Sequence, residues 1–144
     1  MKKFISIAVV VLTVAMILVG CAGGYKDGTY KAESAEFSHG WKDYVIVSVS
    51  GGKVTVKEYD ALDEAGQKKT EDPDYRAAME PVSGTYPEKF FPEIVADFNA
   101  KGSVDKMDNV TGATSSTNSF KALVTAALEN AKKGDTATAV VSAS

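Results

Sequence analysis

Cysteine, histidine and tryptophan each occur only once among the 144 residues of this chain. A single cysteine excludes an intrachain disulfide, and without a cluster of cysteine and histidine we expect no zinc-type site. The acidic run formed by Glu71, Asp72 and Asp74 is typical of a solvated loop rather than of calcium ligands. We therefore expect no metal site and no catalytic residues in the ordinary sense.

The chain also lacks an excess of positive charge. Lysine and arginine together number 16 against 19 aspartates and glutamates, which gives a net charge of −3. Because no basic stripe is present, we do not expect nucleic acid as a partner.

The N-terminus has the layout of a secretory signal, in which an apolar stretch at residues 4–19 follows Lys2 and Lys3. The stretch is too short and too close to the terminus to favour a permanent membrane span. The tetrapeptide LVGC, residues 18–21, resembles the lipobox of bacterial lipoproteins, in which the cysteine takes a diacylglycerol and becomes the mature N-terminus. This resemblance implies a signal peptide over residues 1–20, lipidation of Cys21, and a location on the extracytoplasmic face of the cell membrane.

Two alternatives for this region stay open. The segment is also compatible with an ordinary signal that happens to end near a cysteine. The apolar octapeptide at residues 13–20 also has a suitable length for a secreted peptide pheromone. In either case, residues 21–24 are expected to be a linker to the folded domain.

Alternating apolar residues predict an antiparallel hairpin. The segments DYVIVSVS and KVTVKEYDA are rich in β-branched residues, and Gly51 and Gly52 between them suit a two-residue turn. Strict alternation along the second strand predicts that Val56 and Tyr59 face opposite sides. A further short strand is predicted at residues 29–32.

Apolar residues at helical spacing predict two helices in the middle of the chain. Asp72 and Pro73 suit the start of the first helix, behind a polar loop at residues 62–74. Pro87 suits the start of the second helix, but Pro92 lies within its first turns and favours a later start.

A third helix is predicted from Ser116 to Lys133, with Gly134 at its C-terminal end. The segment SVDKMDNV before it is expected to be extended, and residues 134–144 are expected to form a flexible tail. The sequence therefore predicts an α+β domain over residues 25–133. It should contain an antiparallel sheet, packed helices and a hydroxyl-rich turn at the N-terminus of the last helix.

This turn, DNVTGATSST at residues 108–117, is rich in serine and threonine. A helix N-terminus presents free N–H groups and a partial positive charge, so it can bind phosphate, and Gly112 and Ala113 allow close approach to the backbone. The same residues also suit an ordinary capped turn, because serine and threonine are preferred N-caps. No Gly-Lys-Thr/Ser follows, which excludes a Walker loop. The residues alone therefore leave a phosphate site and a plain cap both open.

The segment DNVTGAT resembles the Asp-x-x-(Ser/Thr)-Gly-Ala-Thr signature of the FMN-binding domain family. That family includes flavin-bearing subunits of the sodium-pumping NADH:quinone reductase and of the Rnf complex. Its members carry FMN joined through the phosphate to the last threonine of the motif, an attachment made by a separate flavin transferase. The resemblance implies that Thr114 is the covalent acceptor. It also assigns cofactor-binding roles to the rest of the motif and helix entrance: Asp108, Thr111, Gly112, Ala113, Ser115, Ser116 and Thr117.

The segments DGTYKAE, GWKDYVIVSVSGGKV and YDALDEAGQKKTED resemble extracellular flavolipoproteins of Gram-positive bacteria, which often hold two such domains. This resemblance implies an electron carrier rather than a stand-alone enzyme. Its electrons would come from a membrane NADH dehydrogenase and quinone pool and pass to external acceptors. The alternative is a lipid-anchored protein that binds FMN or another phosphate ligand without a covalent bond.

Flat or polarisable side chains are candidates to contact a flavin ring, and the same residues also suit core packing. These candidates are Trp41, Tyr44, Tyr59, Tyr75 and Met79. His39 is expected at the surface, in a loop before Trp41.

Overall fold

The computed structural model describes residues 24–142, so the predicted signal, Cys21 and the octapeptide at residues 13–20 lie outside the described residues. Within the described part, four strands form one sheet, accompanied by three helices. The strands are β1 (Gly28–Ser34), β2 (Lys42–Ser50), β3 (Lys53–Leu62) and β4 (Ala139–Val141), in the spatial order β3-β2-β1-β4. The helices are α1 (Pro73–Ser83), α2 (Pro87–Lys101) and α3 (Thr114–Lys133). The predicted α+β class is confirmed.

The hairpin of β2 and β3 is confirmed. Its strands pair antiparallel, and Gly51 and Gly52 form the turn with φ of 57° and 79°. Positive φ at both turn residues is what the favoured two-residue hairpin turns require, which explains the glycine pair.

A β-bulge interrupts the alternation in β3. Val47 pairs with Val56 but the preceding Ile46 pairs with Glu58, so Lys57 has no partner of its own. The extra residue shifts the side-chain alternation, and Val56 and Tyr59 are both buried. The prediction that these two residues face opposite sides is therefore wrong.

The last strand corrects the prediction of a flexible tail from residue 134. Ala139 pairs in parallel with Ala32 of β1, and the N–H of Ala35 donates to the carbonyl of Val141 at 2.8 Å. Free N–H and C=O groups at the edge of β1 give this short segment its partners. The sheet is thus mixed, with one parallel pair beside two antiparallel pairs.

Two helices enclose the core. Helix α2 packs on β3, and α3 packs on β1 and β2. Their buried apolar side chains form one cluster with those of the sheet: Phe90, Phe91, Ile94, Phe98, Phe120, Leu123, Val124, Ala127 and Ala131. Helix α1 buries none of its residues and therefore lies at the periphery. No helix in residues 24–142 is long and apolar enough to cross a bilayer.

The starts of α1 and α2 agree only in part with those predicted from the sequence. Asp72 caps α1, accepting from the N–H groups of Asp74 and Tyr75 at 3.0 and 3.2 Å. Helix α2 begins at Pro87 and runs through Pro92, so the prediction of a later start is wrong. Pro92 is the sixth residue of the helix and removes one helical hydrogen bond, and the burial of Phe90, Phe91 and Ile94 favours the continuous helix despite this loss.

The segment before α3 differs from the prediction. It contains a 3-10 turn at Val104–Lys106 where an extended segment was expected. Helix α3 starts at Thr114, two residues before the predicted Ser116, and it ends at Lys133 before Gly134 as predicted.

Candidate functional site

A cleft of about 710 Å³ opens at the N-terminus of α3. Its walls come from the first turns of α3, the segment joining β1 to β2, the 3-10 turn at Lys69–Glu71, and α1. The side chains that matter most for its chemistry are Thr114, Ser115, Trp41, Lys69, Tyr75 and Met79. A cavity of this size suits a ligand of a few hundred daltons.

A tight turn at residues 110–113 presents the start of α3 to the cleft. The N–H of Ala113 donates to the carbonyl of Val110 at 2.9 Å, and Gly112 has a φ of 79°. A Cβ at Gly112 would lie only 2.8 Å from the backbone oxygen of Ser83. Glycine is thus favoured here both by the left-handed backbone and by close packing against the end of α1.

Thr117 holds this turn from inside. It is fully buried, and its hydroxyl donates to the carbonyl of Ala113 at 2.9 Å while accepting from the N–H of Val110 at 3.3 Å. The family resemblance assigns Thr117 to cofactor binding, but the structure places its side chain under the turn and not among the cleft residues. Its role in the described structure is to fix the geometry in front of Thr114.

Thr114 is the first residue of α3 and is exposed. No side chain caps the helix at Ala113, and the first helical bond runs from the N–H of Thr117 to the carbonyl of Ala113 at 3.0 Å. The amides of the three residues between them therefore point out of the helix end and favour an anion. Thr114 and Ser115 are both exposed and both line the cleft, so two hydroxyls are available there.

An aromatic wall faces the same cleft. The rings of Trp41 and Tyr75 meet edge to face, with centroids 5.8 Å apart and an interplanar angle of 85°. Met79 lies one helical turn beyond Tyr75 on α1 and also lines the cleft. Trp41 is 9% exposed and Tyr75 half-buried, so the wall combines a fixed ring with a more open one. Such surfaces stack well on flat ligands.

A two-residue turn positions Trp41. Ser38 and Trp41 exchange backbone hydrogen bonds of 2.8 and 3.0 Å, which close a turn over His39 and Gly40. His39 has a φ of 51°, the one positive φ of a non-glycine residue in the described chain. His39 is exposed, as the sequence predicts, and it lies at the rim of the cleft.

The charge in the cleft is mixed. Glu36 and Asp43 bring carboxylates, and Lys69 is the one lysine or arginine among the cleft residues in the described chain. The ammonium of Lys69 lies 4.2 Å from the centroid of the Tyr75 ring and 5.6 Å from that of Trp41. This geometry is that of a cation–π contact, which holds the ammonium against the aromatic wall.

Asp43 connects the sheet to α3 behind the site. Its Oδ2 accepts from the hydroxyl of Ser119 at 2.7 Å and lies 2.8 Å from the hydroxyl of Tyr59. The same Tyr59 oxygen is 2.8 Å from the carbonyl oxygen of Ser116. These contacts tie the first turns of α3 to β2 and β3, and so fix where Thr114 stands relative to the aromatic wall.

Two of the five predicted ring contacts point elsewhere. Tyr59 is buried in the core, where its ring meets Phe91 edge to face at 4.5 Å. Burial, then the charge of Asp43, raises the pKa of its phenol well above the ordinary value. Tyr44 is buried too and donates to Glu58 at 2.8 Å. The structure thus brings Trp41, Tyr75 and Met79 to the cleft, and leaves Tyr44 and Tyr59 outside it.

The first residues of the motif also lie outside the cleft. The side chain of Asp108 is 91% exposed and accepts from the ammonium of Lys101 at 2.9 Å. The N–H of Asp108 donates to Asp97 at 3.0 Å, and Lys101 also pairs with Asp97 at 2.8 Å. Hydrogen bonding from Lys101 lowers the pKa of Asp97. Asp108 therefore fastens the motif to the end of α2, while Thr111 is exposed and is not among the cleft residues.

Three further residues of the site were not identified from the sequence: Asp43, Lys69 and Ser119. Asp43 and Ser119 lie 76 positions apart, and their contact exists only because α3 docks on β2. Lys69 lies in a polar segment that looks like a solvated loop until the 3-10 turn brings it against the aromatic wall. Only knowledge of the tertiary contacts would have identified them.

The cleft fits the FMN that the motif resemblance implies. FMN consists of a phosphate, a polar chain and a flat ring. The uncapped helix end with Thr114 suits the phosphate, and the wall of Trp41 and Tyr75 suits the ring. Hydroxyl and amide side chains also line the cleft, among them Ser119 and Asn118, and suit the polar chain.

Comparison with known proteins also supports an FMN-binding domain. A model of the FMN-binding domain matches residues 40–129, a range that contains both the aromatic wall and the motif turn. The 15 kDa lipoprotein of Treponema pallidum (strain Nichols) is 38% identical over 126 residues, which cover 86% of this chain and 89% of that protein. The crystal structure of the CPE2226 protein from Clostridium perfringens is similar with a TM-score of 0.78 and 38% identity, covering 83% of this chain and 99% of that chain.

Proposed function

Because the chain belongs to the FMN-binding domain family, we propose that it is a lipid-anchored, extracytoplasmic electron carrier with FMN attached through its phosphate to Thr114. The bound flavin supplies reversible uptake of electrons, and the protein supplies attachment, orientation and surroundings. The donor is proposed to be a membrane NADH dehydrogenase with its quinone pool, and the acceptors lie outside the membrane.

One observation supports this assignment above the others. Thr114 is an exposed hydroxyl residue at an uncapped helix N-terminus, and it lines the same cleft as Trp41 and Tyr75. An exposed acceptor can be reached by a separate enzyme, as transferase-dependent attachment requires. The aromatic wall then offers the attached ring a place to dock within the same cleft.

The attachment has a simple chemical balance. The Thr114 oxygen forms a bond to the FMN phosphorus of a flavin adenine dinucleotide held by the transferase. The phosphoanhydride bond between that phosphorus and the adenylate breaks, AMP leaves, and the threonine proton passes to a base of the transferase. The product is a phosphodiester with one negative charge. The free amides of Thr114, Ser115 and Ser116 lie at the helix end, where that charge is stabilised.

The lipid anchor is proposed on separate grounds. The sequence LVGC ends at Cys21, and the treponemal relative is named a lipoprotein. Cells fed labelled palmitate should label the wild type and not Cys21→Ser. Label retained in Cys21→Ser would contradict lipidation at this residue.

The covalent bond is tested by intact mass after co-expression with a flavin transferase. The wild type should gain the mass of one FMN less water, and its band should fluoresce on a denaturing gel. Thr114→Val should abolish both signals, whereas Ser115→Ala, which removes the neighbouring exposed hydroxyl, should retain them. Loss of the increment in Ser115→Ala alone would move the acceptor to Ser115.

A protein that holds FMN without a covalent bond is the second candidate, since Gly112, Ala113 and the helix end alone suit a phosphate. In that case, yellow colour should survive native purification but be lost on denaturation and dialysis. The electron-carrier role is tested by adding loaded protein to membrane vesicles that oxidise NADH. Bleaching of the flavin absorbance on adding NADH supports the role, and an unchanged spectrum contradicts it.

A further inference from the structure

Lys69 has an unusual position for a surface lysine. Its ammonium lies 4.2 Å from the Tyr75 centroid and 5.6 Å from the Trp41 centroid, on the aromatic wall of the cleft. No carboxylate of the described residues lies within ion-pair distance of it, although Glu71 and Asp72 are close in sequence. The charge of Lys69 is therefore directed to the cleft and not neutralised by a neighbour.

The local fold separates Lys69 from the lysine beside it. The hydroxyl of Thr70 donates to Asp60 at 2.6 Å and fastens the 3-10 turn to β3. Lys68 pairs with Glu58 at 2.6 Å, and it lines a different surface from Lys69. Two adjacent lysines therefore carry the same charge but face different surroundings, which provides a matched comparison.

The other ionisable groups of the cleft are Glu36, His39, Asp43 and Tyr75. Oδ2 of Asp43 already accepts from Ser119, with the Tyr59 hydroxyl also at hydrogen-bond distance, and Glu36 is exposed to water. His39 is exposed at the rim of the cleft. Lys69 is thus the one lysine or arginine that brings positive charge to the cleft, among the residues that the structure describes.

We propose that Lys69 tunes the flavin of this cleft, raising its reduction potential by stabilising the negative charge that the ring gains on reduction. This role rests on the proposed FMN attachment. Oxidised FMN takes up two electrons and one proton to give an anionic reduced ring, or two protons to give a neutral one. The electrons come from dithionite in the test, and from a membrane quinol or dehydrogenase in the proposed function. A nearby cation favours the anionic reduced ring over both the oxidised ring and the neutral reduced ring.

The test measures the midpoint potential of the covalently loaded protein at mildly alkaline pH. Lys69→Gln should reduce the equilibrium constant for reduction at least tenfold. For a two-electron couple, this corresponds to a midpoint potential about 30 mV lower. Lys68→Gln removes the same charge one residue away and should change the potential much less. Lys69→Arg keeps the charge and should stay close to the wild type.

A second readout is the pH dependence of that potential. The slope changes where the reduced ring passes from taking up two protons to taking up one. Without the cation, the reduced ring holds its second proton more tightly, so this break should move to higher pH in Lys69→Gln and in Lys69→Met. A role limited to folding would change stability without moving the break.

The outcomes separate the two proposals. A wild type that carries no flavin overturns the proposed function, and this inference falls with it. A loaded Lys69→Gln protein with an unchanged potential and break overturns the role of Lys69 alone. Equal shifts in Lys68→Gln, or a Lys69→Arg protein that behaves like Lys69→Gln, would also overturn it, because the effect would then not depend on a charge at this position.

Discussion

The hydroxyl of Tyr59 lies 2.8 Å from Oδ2 of Asp43, in the interior between the sheet and α3. It is also 2.8 Å from the carbonyl oxygen of Ser116, three residues into the helix that begins with the proposed FMN acceptor. One phenol therefore connects β3 to β2 and to the first turn of α3. The position of Thr114 depends on a side chain that does not reach the cleft.

Removing this hydroxyl should destabilise the domain. Tyr59→Phe removes the one phenol proton at this junction, so either the half-buried Asp43 carboxylate or the half-buried Ser116 carbonyl loses a donor. We expect a loss of about 1–3 kcal/mol in the free energy of unfolding, measured by urea denaturation. Tyr86→Phe is the matched control, since no hydrogen bond from its hydroxyl to a described residue is present. It should change stability by less than about 0.5 kcal/mol. Equal losses in both variants would contradict a specific role for Tyr59.

Substitution of Gly112 should lower the free energy of unfolding by more than its positive φ alone explains. Gly112→Ala places a methyl group 2.8 Å from the Ser83 oxygen at a φ of 79°. Gly66 has a similar φ of 83° with nothing within 4 Å, so Gly66→Ala measures the backbone cost alone, about 1–2 kcal/mol. Urea denaturation should show a clearly larger loss for Gly112→Ala. If the two losses agree, the contact between α1 and the motif turn is not tight in solution.

The sequence predicts those parts of the fold that local pattern determines. The Gly51-Gly52 hairpin and the helix ending at Gly134 were found because turn chemistry and apolar spacing agree there. The strand Ala139–Val141 was missed because its three residues have no pattern of their own and are ordered by pairing with β1. Local propensity cannot indicate a partner that lies more than 100 positions away in the chain.

In the candidate site, too, local features could be predicted from the sequence and features that depend on tertiary contacts could not. The motif indicated that the proposed acceptor, Thr114, stands at a helix start, because residue type and helix start are both local. The sequence could not predict which aromatic candidates reach the cleft. The bulge at Lys57 helps to place Tyr59 in the core, whereas the turn at His39 brings Trp41 to the cleft. The inward orientation of Thr117 follows from its bond to the carbonyl of Ala113, which composition does not reveal.

The single tryptophan of the chain should report on the flavin without any substitution in the aromatic wall. Trp41 lines the cleft, so a bound flavin ring nearby should quench its emission. Loaded wild type should be much dimmer at the tryptophan band than unloaded Thr114→Val. Denaturation should restore most of the difference by separating the ring from the indole. Equal emission in the two folded proteins would place the ring away from the aromatic wall.

The ion pairs at the end of α2 should make the free energy of unfolding depend on pH in the acid range. Lys101 lowers the pKa of Asp97, so this contribution is present above the unfolded value of about 3.9 and is lost as the pH falls through the lower folded value. Between about pH 5 and pH 3, the wild type should therefore lose more unfolding free energy than Lys101→Met, as followed by urea denaturation. Lys106→Met is the control, since Lys106 makes no ion pair with the described residues. It should keep the wild-type slope, and a slope as shallow as that of Lys101→Met would show that general charge, not the contact with Asp97, controls the acid response.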